Sequence, residues 1–124
     1  MFLDVPPSLL HLLGLPPHPA YQGVSLFDAE PDPNRSLYMI VQTPLAYQSA
    51  IVRAGFKLVF SDREGRYLLF DLRSDPGEFH DLAESHPDVR DALAMRLQQW
   101  RTAQLDYYGD VARHSREYPP VIPN

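Results

Sequence analysis

Few residues in this chain are of a type and spacing suited to chemistry. It has no cysteine, which removes thiol nucleophiles, disulfides and thiolate metal sites together. Its five histidines, His11, His18, His80, His86 and His114, show no metal-binding spacing such as H-x-x-x-H, and are read as surface or structural. Ser25, in Gly23-Val24-Ser25-Leu26, lacks the second glycine of a nucleophile elbow and falls in a connector, so a turn or the start of a short helix is the reading taken. Asp71, Asp75, Glu78 and Asp81 form an acidic cluster around a Pro76-Gly77 turn. A hard cation needs several converging oxygens, whereas turn formation and helix capping account for these four locally. Arg53 and Lys57 flank Ala54-Gly55, and an arginine there could grip an anion bidentately. The competing reading is a pair of solvated strand charges. From residue types alone, no catalytic residue and no metal ligand is assigned.

The elements that would carry these residues can be read along the chain. Asp4 to Gly14 reads as a short helix, with Asp4 placed to cap it, prolines in the first turn, and Gly14 as a left-handed stop. Leu9, Leu10, Leu12 and Leu13 surround most of this helix, and a helix apolar nearly all round must be covered by something. Leu15 to Asn34 is a long, proline-rich connector. Ser36–Thr43, Tyr47–Arg53, Phe56–Ser61 and Arg66–Leu72 are rich in strand formers. Ala54-Gly55 suits a tight hairpin and Asp62-Arg63-Glu64-Gly65 a polar turn. An antiparallel meander follows, with Phe56, Leu58 and Phe60 on one face and Lys57 and Val59 on the other. After Asp75-Pro76-Gly77-Glu78 come a helical turn over Asp81–Ser85 and a long helix from Pro87 to about Tyr108. Val89, Leu93, Leu97, Trp100, Gln104 and Tyr107 share one face of it, and Arg101 lies on the opposite, polar face. The last residues, 110–124, have no periodicity and read as extended.

Composition excludes several classes. With 44% hydrophobic residues and mean hydropathy −0.30, the chain reads as soluble and globular, and no run is long and apolar enough for a membrane span. A net charge of −5, with dispersed arginines, argues against a nucleic-acid partner. Met1-Phe2-Leu3-Asp4 has no basic stretch and runs straight into prolines, so it is not read as a secretory signal.

Four segments, in order, resemble the closing third of the sulfatase family. They are Asp4-Val5-Pro6-Pro7-Ser8-Leu9-Leu10 with Gly14, Gly23-Val24-Ser25-Leu26, Val52-Arg53-Ala54-Gly55-Phe56-Lys57-Leu58-Val59, and the longest, Leu69-Phe70-Asp71-Leu72-Arg73-Ser74-Asp75-Pro76-Gly77-Glu78-Phe79-His80-Asp81-Leu82-Ala83. Ser8, Phe70 and Asp81 stand where the family has threonine, tyrosine and asparagine. The resemblance implies an α+β fold: a small four-stranded antiparallel sheet packed by a long C-terminal helix, preceded by a short helix and connector. It implies that 1–34 is a remnant of the large domain, 35–109 the C-terminal subdomain and 110–124 a tail. It also implies a parent sulfuric ester hydrolase with a formylglycine nucleophile and a calcium-type divalent cation. The Cys/Ser-x-Pro-x-Arg motif of that nucleophile does not occur here, so no cofactor is expected on this chain and it should be inactive alone. Arg53 and Lys57 would face the parent's cleft, which makes them the candidate substrate-binding residues that the resemblance implies. The expected partner is the N-terminal α/β domain, or a second copy through Leu9, Leu10, Leu12 and Leu13. The alternative is a standalone interaction or oligomerisation module derived from the same subdomain.

Overall fold

The computed structural model describes residues 4–28, 32–44, 46–114 and 116–122. In order these form α1 (Val5–Leu12), β1 (Leu37–Thr43), β2 (Ala46–Arg53), β3 (Phe56–Ser61), β4 (Arg66–Asp71), α2 (Pro87–Gly109) and α3 (Val111–His114). This is the expected α+β order. Two compact units are distinguished: residues 32–103, with the sheet and most of α2, and residues 1–31 together with 104–123.

In the first unit the sheet runs β1-β2-β3-β4, every neighbour antiparallel. The β2–β3 turn is Ala54-Gly55, with φ of 49° and 80°; two positive values make the primed turn whose twist matches the strands. The β3–β4 turn closes with Gly65 at φ 63°, its N–H donating to the Ser61 carbonyl at 2.8 Å. Tyr38, Ile51, Leu58 and Leu69 lie side by side across the four strands. The last three are wholly buried. Side chains alternate between faces, so Ala50, Val59 and Phe70 form a separate buried cluster on the other face, with Met39, Leu68 and Leu72 against it.

Helix α2 covers the Leu58 face. Its Leu93, Leu97 and Trp100 are buried at the three- and four-residue spacing read from the sequence. Trp100 stacks on Tyr38, centroids 5.0 Å apart and rings inclined by 4°; such a pair adds about 1 kcal/mol beyond its buried area. Gln98 donates to the Tyr67 hydroxyl at 3.1 Å. Arg101 departs from the polar face assigned to it: its guanidinium lies 5.0 Å from the Phe60 ring centre and 2.7 Å from the Asp62 carboxylate. A long side chain whose stem lies along apolar surface while its charged head meets a carboxylate is not identified by helical periodicity.

Strand β4 ends the sheet, and its open side is closed at one residue. The Leu69 N–H donates to Asp81 Oδ1 at 3.0 Å, and the Leu69 carbonyl accepts the Leu82 N–H at 2.7 Å. Asp81 Oδ1 also takes the Ala83 N–H at 2.9 Å. Asp81 therefore fastens a loop to a strand edge and does not cap a helix. The expected helical turn over Asp81–Ser85 is a hydrogen-bonded turn, Ser85 N–H to Leu82 carbonyl at 3.1 Å. The His86 carbonyl then accepts from Arg90 and starts α2.

In the second unit α1 ends as expected at Gly14, φ 64°. Gly14 N–H bonds the His11 carbonyl and Leu15 N–H the Leu10 carbonyl, the paired ending of a Schellman motif. Asp4 makes no side-chain cap. It is buried, and its carboxylate accepts the Val24 N–H at 3.0 Å. Ser8, also buried, donates to the Asp4 carbonyl at 2.6 Å and accepts the Leu26 N–H at 2.8 Å. The tail is not simply extended, as expected, but carries α3, with Asp110 accepting from Ala112 and Arg113 N–H. It folds back on the end of α2, where Tyr107 Oη donates to the Glu117 carbonyl at 2.7 Å.

Asp81→Ala should cost about 1–3 kcal/mol, since two amides lose their acceptor. Asp81→Asn, which keeps a carbonyl oxygen in place, should cost under about 1 kcal/mol. Urea denaturation of the two variants measures the difference.

Candidate functional site

The hairpin turn places Arg53 at the end of β2 and Lys57 one residue into β3. The register pairs Arg53 with Phe56 and Val52 with Lys57. Directly opposed residues share a face, so Arg53 belongs to the Leu58 face and Lys57 to the Val59 face. The two flank the turn as expected, but the fold does not converge them on one anion. Arg53 Nη1 donates to Ser36 Oγ at 2.9 Å. Lys57 Nζ meets both carboxylate oxygens of Glu78 at 2.7 Å, with both side chains partly buried. Glu78 holds a left-handed backbone, φ 58°, a conformation that costs a non-glycine residue roughly 1–2 kcal/mol and that the lysine pairing offsets in part.

The acidic cluster resolves into four separate tasks. Asp71 takes Arg73 in a two-pronged contact at 2.9 and 3.2 Å, which holds its carboxyl below the usual carboxylate range. Asp75 accepts the His80 N–H at 2.8 Å. Glu78 holds Lys57, and Asp81 holds Leu69 and Ala83. Among the described residues no group of three or more His, Asp or Glu side chains is placed to hold a metal ion.

The described histidines have different partners. His11 Nδ1 is 3.0 Å from Asp28 and its ring is 5.8 Å from Phe27. His18 contacts the rings of Tyr21 and Tyr118, His80 neighbours Asp75, and His86 Nδ1 shares a hydrogen with Ser85. The side chain of His114 lies outside the described residues. Beside α1 is an open cleft of about 300 Å³, lined by Pro7, Leu10, His11, His18, Tyr21 and Val24 among others.

A feature missed in the sequence is the joining of two quoted segments. Asp4 and Ser8 hold Val24 and Leu26 by the amide bonds described above. The clue available was that two short polar side chains, four residues apart in a helix, must share one face. The connector some twenty residues on has no regular structure to supply acceptors for its amides.

Comparison with solved structures places this arrangement. A protein of Bacteroides thetaiotaomicron proposed to be a sulfatase superposes with TM-score 0.67 and 19% identity, over 86% of this chain and 25% of that one. A 2-O GAG sulfatase gives 0.65 and 19%, over the same shares. A third structure, solved with D-glucosamine-2-N,6-O-disulfate as its substrate, gives 0.62 and 18%, over 92% of this chain and 25% of that one. The fold is that of a sulfatase segment. The chain spans about a quarter of the length of these neighbours. No family model matches the sequence, and no curated protein matches it. Among the described residues no helix is long and apolar enough to cross a membrane.

The Asp75 carboxyl lies below the usual carboxylate range, chiefly through the His80 N–H and against the opposing effect of burial. Its unfolded value is about 3.9. A depressed folded value means the contribution is complete above that point and is lost as pH falls through the folded value. Urea midpoints should therefore fall on acidification from about pH 5 to about pH 3, and fall less steeply in Asp75→Asn.

Proposed function

We propose that this chain serves as the C-terminal subdomain of a sulfatase-like sulfuric ester hydrolase, a structural part with no catalytic activity of its own. The observation that carries the reading is the superposition: 86 to 92% of the chain finds a counterpart in about a quarter of each of these three proteins. The four quoted segments support it independently, because they make the ties that hold each unit: Asp4 and Ser8 to Val24 and Leu26, Lys57 to Glu78, and Leu69 to Asp81.

Helix α1 supports the same reading. Leu9, Leu12 and Leu13 are 54, 63 and 70% exposed, while Leu10 is half-buried beside the cleft. Leu26 and Phe27 are exposed as well. Apolar side chains gathered in this way mark a contact surface, and the large α/β domain of such a hydrolase is the partner proposed for it. Residues 1–34 would belong with that domain, 35–109 would form the subdomain, and residues 110–124 would be its tail. The formylglycine and the divalent cation would be supplied by the large domain. Arg53 and Lys57, pointing to opposite faces, would each contribute singly to a substrate cleft near the hairpin, and Lys57 would do so only in company with Glu78.

A standalone binding module is the second reading. It needs the α1 leucines to be core residues of a self-sufficient fold, and their exposure disfavours it.

The purified chain, given an aryl sulfate with calcium present, should release no phenol above the buffer rate. Turnover that disappears in Arg53→Ala or Lys57→Ala would overturn the claim that the chemistry lies outside this chain.

A further inference from the structure

The two edges of the sheet are treated differently. At β4 the outward N–H and carbonyl of Leu69 are taken by Asp81 and Leu82. That fixes the hydrogen-bonding parity of the whole row. In an antiparallel pair, opposed residues alternate between exchanging both backbone bonds and exchanging none. Leu69 spends its groups on the loop, so the Leu58–Leu69 pair is of the non-bonded kind. Leu58 then bonds Ile51, and the pair between Ile51 and Tyr38 is again non-bonded. The backbone groups of Tyr38, and with it Ile40 and Gln42, therefore point away from the sheet along the free side of β1. Among the described residues no hydrogen bond reaches the outward groups of these three.

Strand β1 also lacks the usual protections of a free edge. Leu-Tyr-Met-Ile-Val-Gln-Thr contains no charge and no proline, the devices that ordinarily discourage strand addition. Ile40 and Val41, on opposite faces, are 46 and 53% exposed.

We propose that β1 is a homodimerisation edge, pairing antiparallel with β1 of a second copy to make an eight-stranded sheet. With the two-fold axis at Ile40, Ile40 faces Ile40 of the second copy and Tyr38 faces Gln42. Three outward residues on each copy then exchange about six backbone hydrogen bonds. Ile40 packs on itself on one face, and Met39 on Val41 on the other. An uncharged strand meets its own copy without repulsion, and a two-fold interface is self-complementary. At the β4 edge the loop bonded to Leu69 stands in the way of a further strand, which opposes growth beyond two copies. Nothing in this inference rests on the sulfatase reading, and either stands if the other fails.

The test is sedimentation equilibrium of the chain carrying Leu9→Glu, Leu12→Glu and Leu13→Glu, which removes association through α1. A concentration-dependent species of twice 14.2 kDa is expected. Ile40→Pro removes an outward N–H without touching the bonds to β2, and Val41→Lys places a charge beside its own copy. Each should weaken the dimer by about tenfold or more with an unchanged circular dichroism spectrum. Should Ile40→Pro fail to fold, Val41→Lys decides alone. A monomer up to about 1 mM, or a dimer that Val41→Lys leaves intact, would overturn the proposal.

Discussion

The sheet depends on how its last strand is finished. An antiparallel sheet of four strands has two free edges, and each unpaired amide removed from water costs on the order of a hydrogen bond. Asp81 and Leu82 close the middle of the β4 edge by bonding both outward groups of Leu69. The side chain of Leu69 is at the same time fully buried under α2, in line with Leu58 and Ile51. One residue thus ties the loop, the sheet edge and the core row together. The loop residues that follow lead directly into α2, so the same fastening determines where that helix starts.

The second unit uses the same device. Asp4 and Ser8 reach from α1 to the amides of Val24 and Leu26. In both units a short polar side chain fixes a stretch of irregular backbone to a regular element, and this lets long connecting segments hold a definite path without regular structure of their own. In this unit α1 and its connector expose much apolar surface, at Leu9, Leu12, Leu13, Leu26 and Phe27.

Much of this was legible in the sequence because local rules govern it. Gly14, Gly55 and Gly65 stand where positive φ is needed, and the strands follow period-two patterning between those turns. The buried face of α2 follows from helical spacing at Leu93, Leu97 and Trp100. What was not legible depends on long-range partners. Asp81 looked like a helix cap because aspartate caps helices, and nothing local announces Leu69 as its partner. The same holds for Asp4, whose partner Val24 lies twenty residues along the chain. Arg101 was placed in water by its charge, although Phe60 and Asp62 supply both an apolar surface and a counter-charge. Arg53 and Lys57 are neighbours across a turn in the sequence, but parity of the register, which flips a side chain to the other face with each residue, separates them. The site reading was therefore weaker than the fold reading.

The functional account rests on the chain being one part of a larger hydrolase. Its most direct test is to isolate the chain under native conditions from the cells that make it, with an antibody against the exposed face of α2, and to sequence what comes with it by mass spectrometry. The account predicts an α/β domain carrying a Cys/Ser-x-Pro-x-Arg motif, either continuous with this chain or bound to it. A 14.2 kDa polypeptide that brings down no such domain would contradict it.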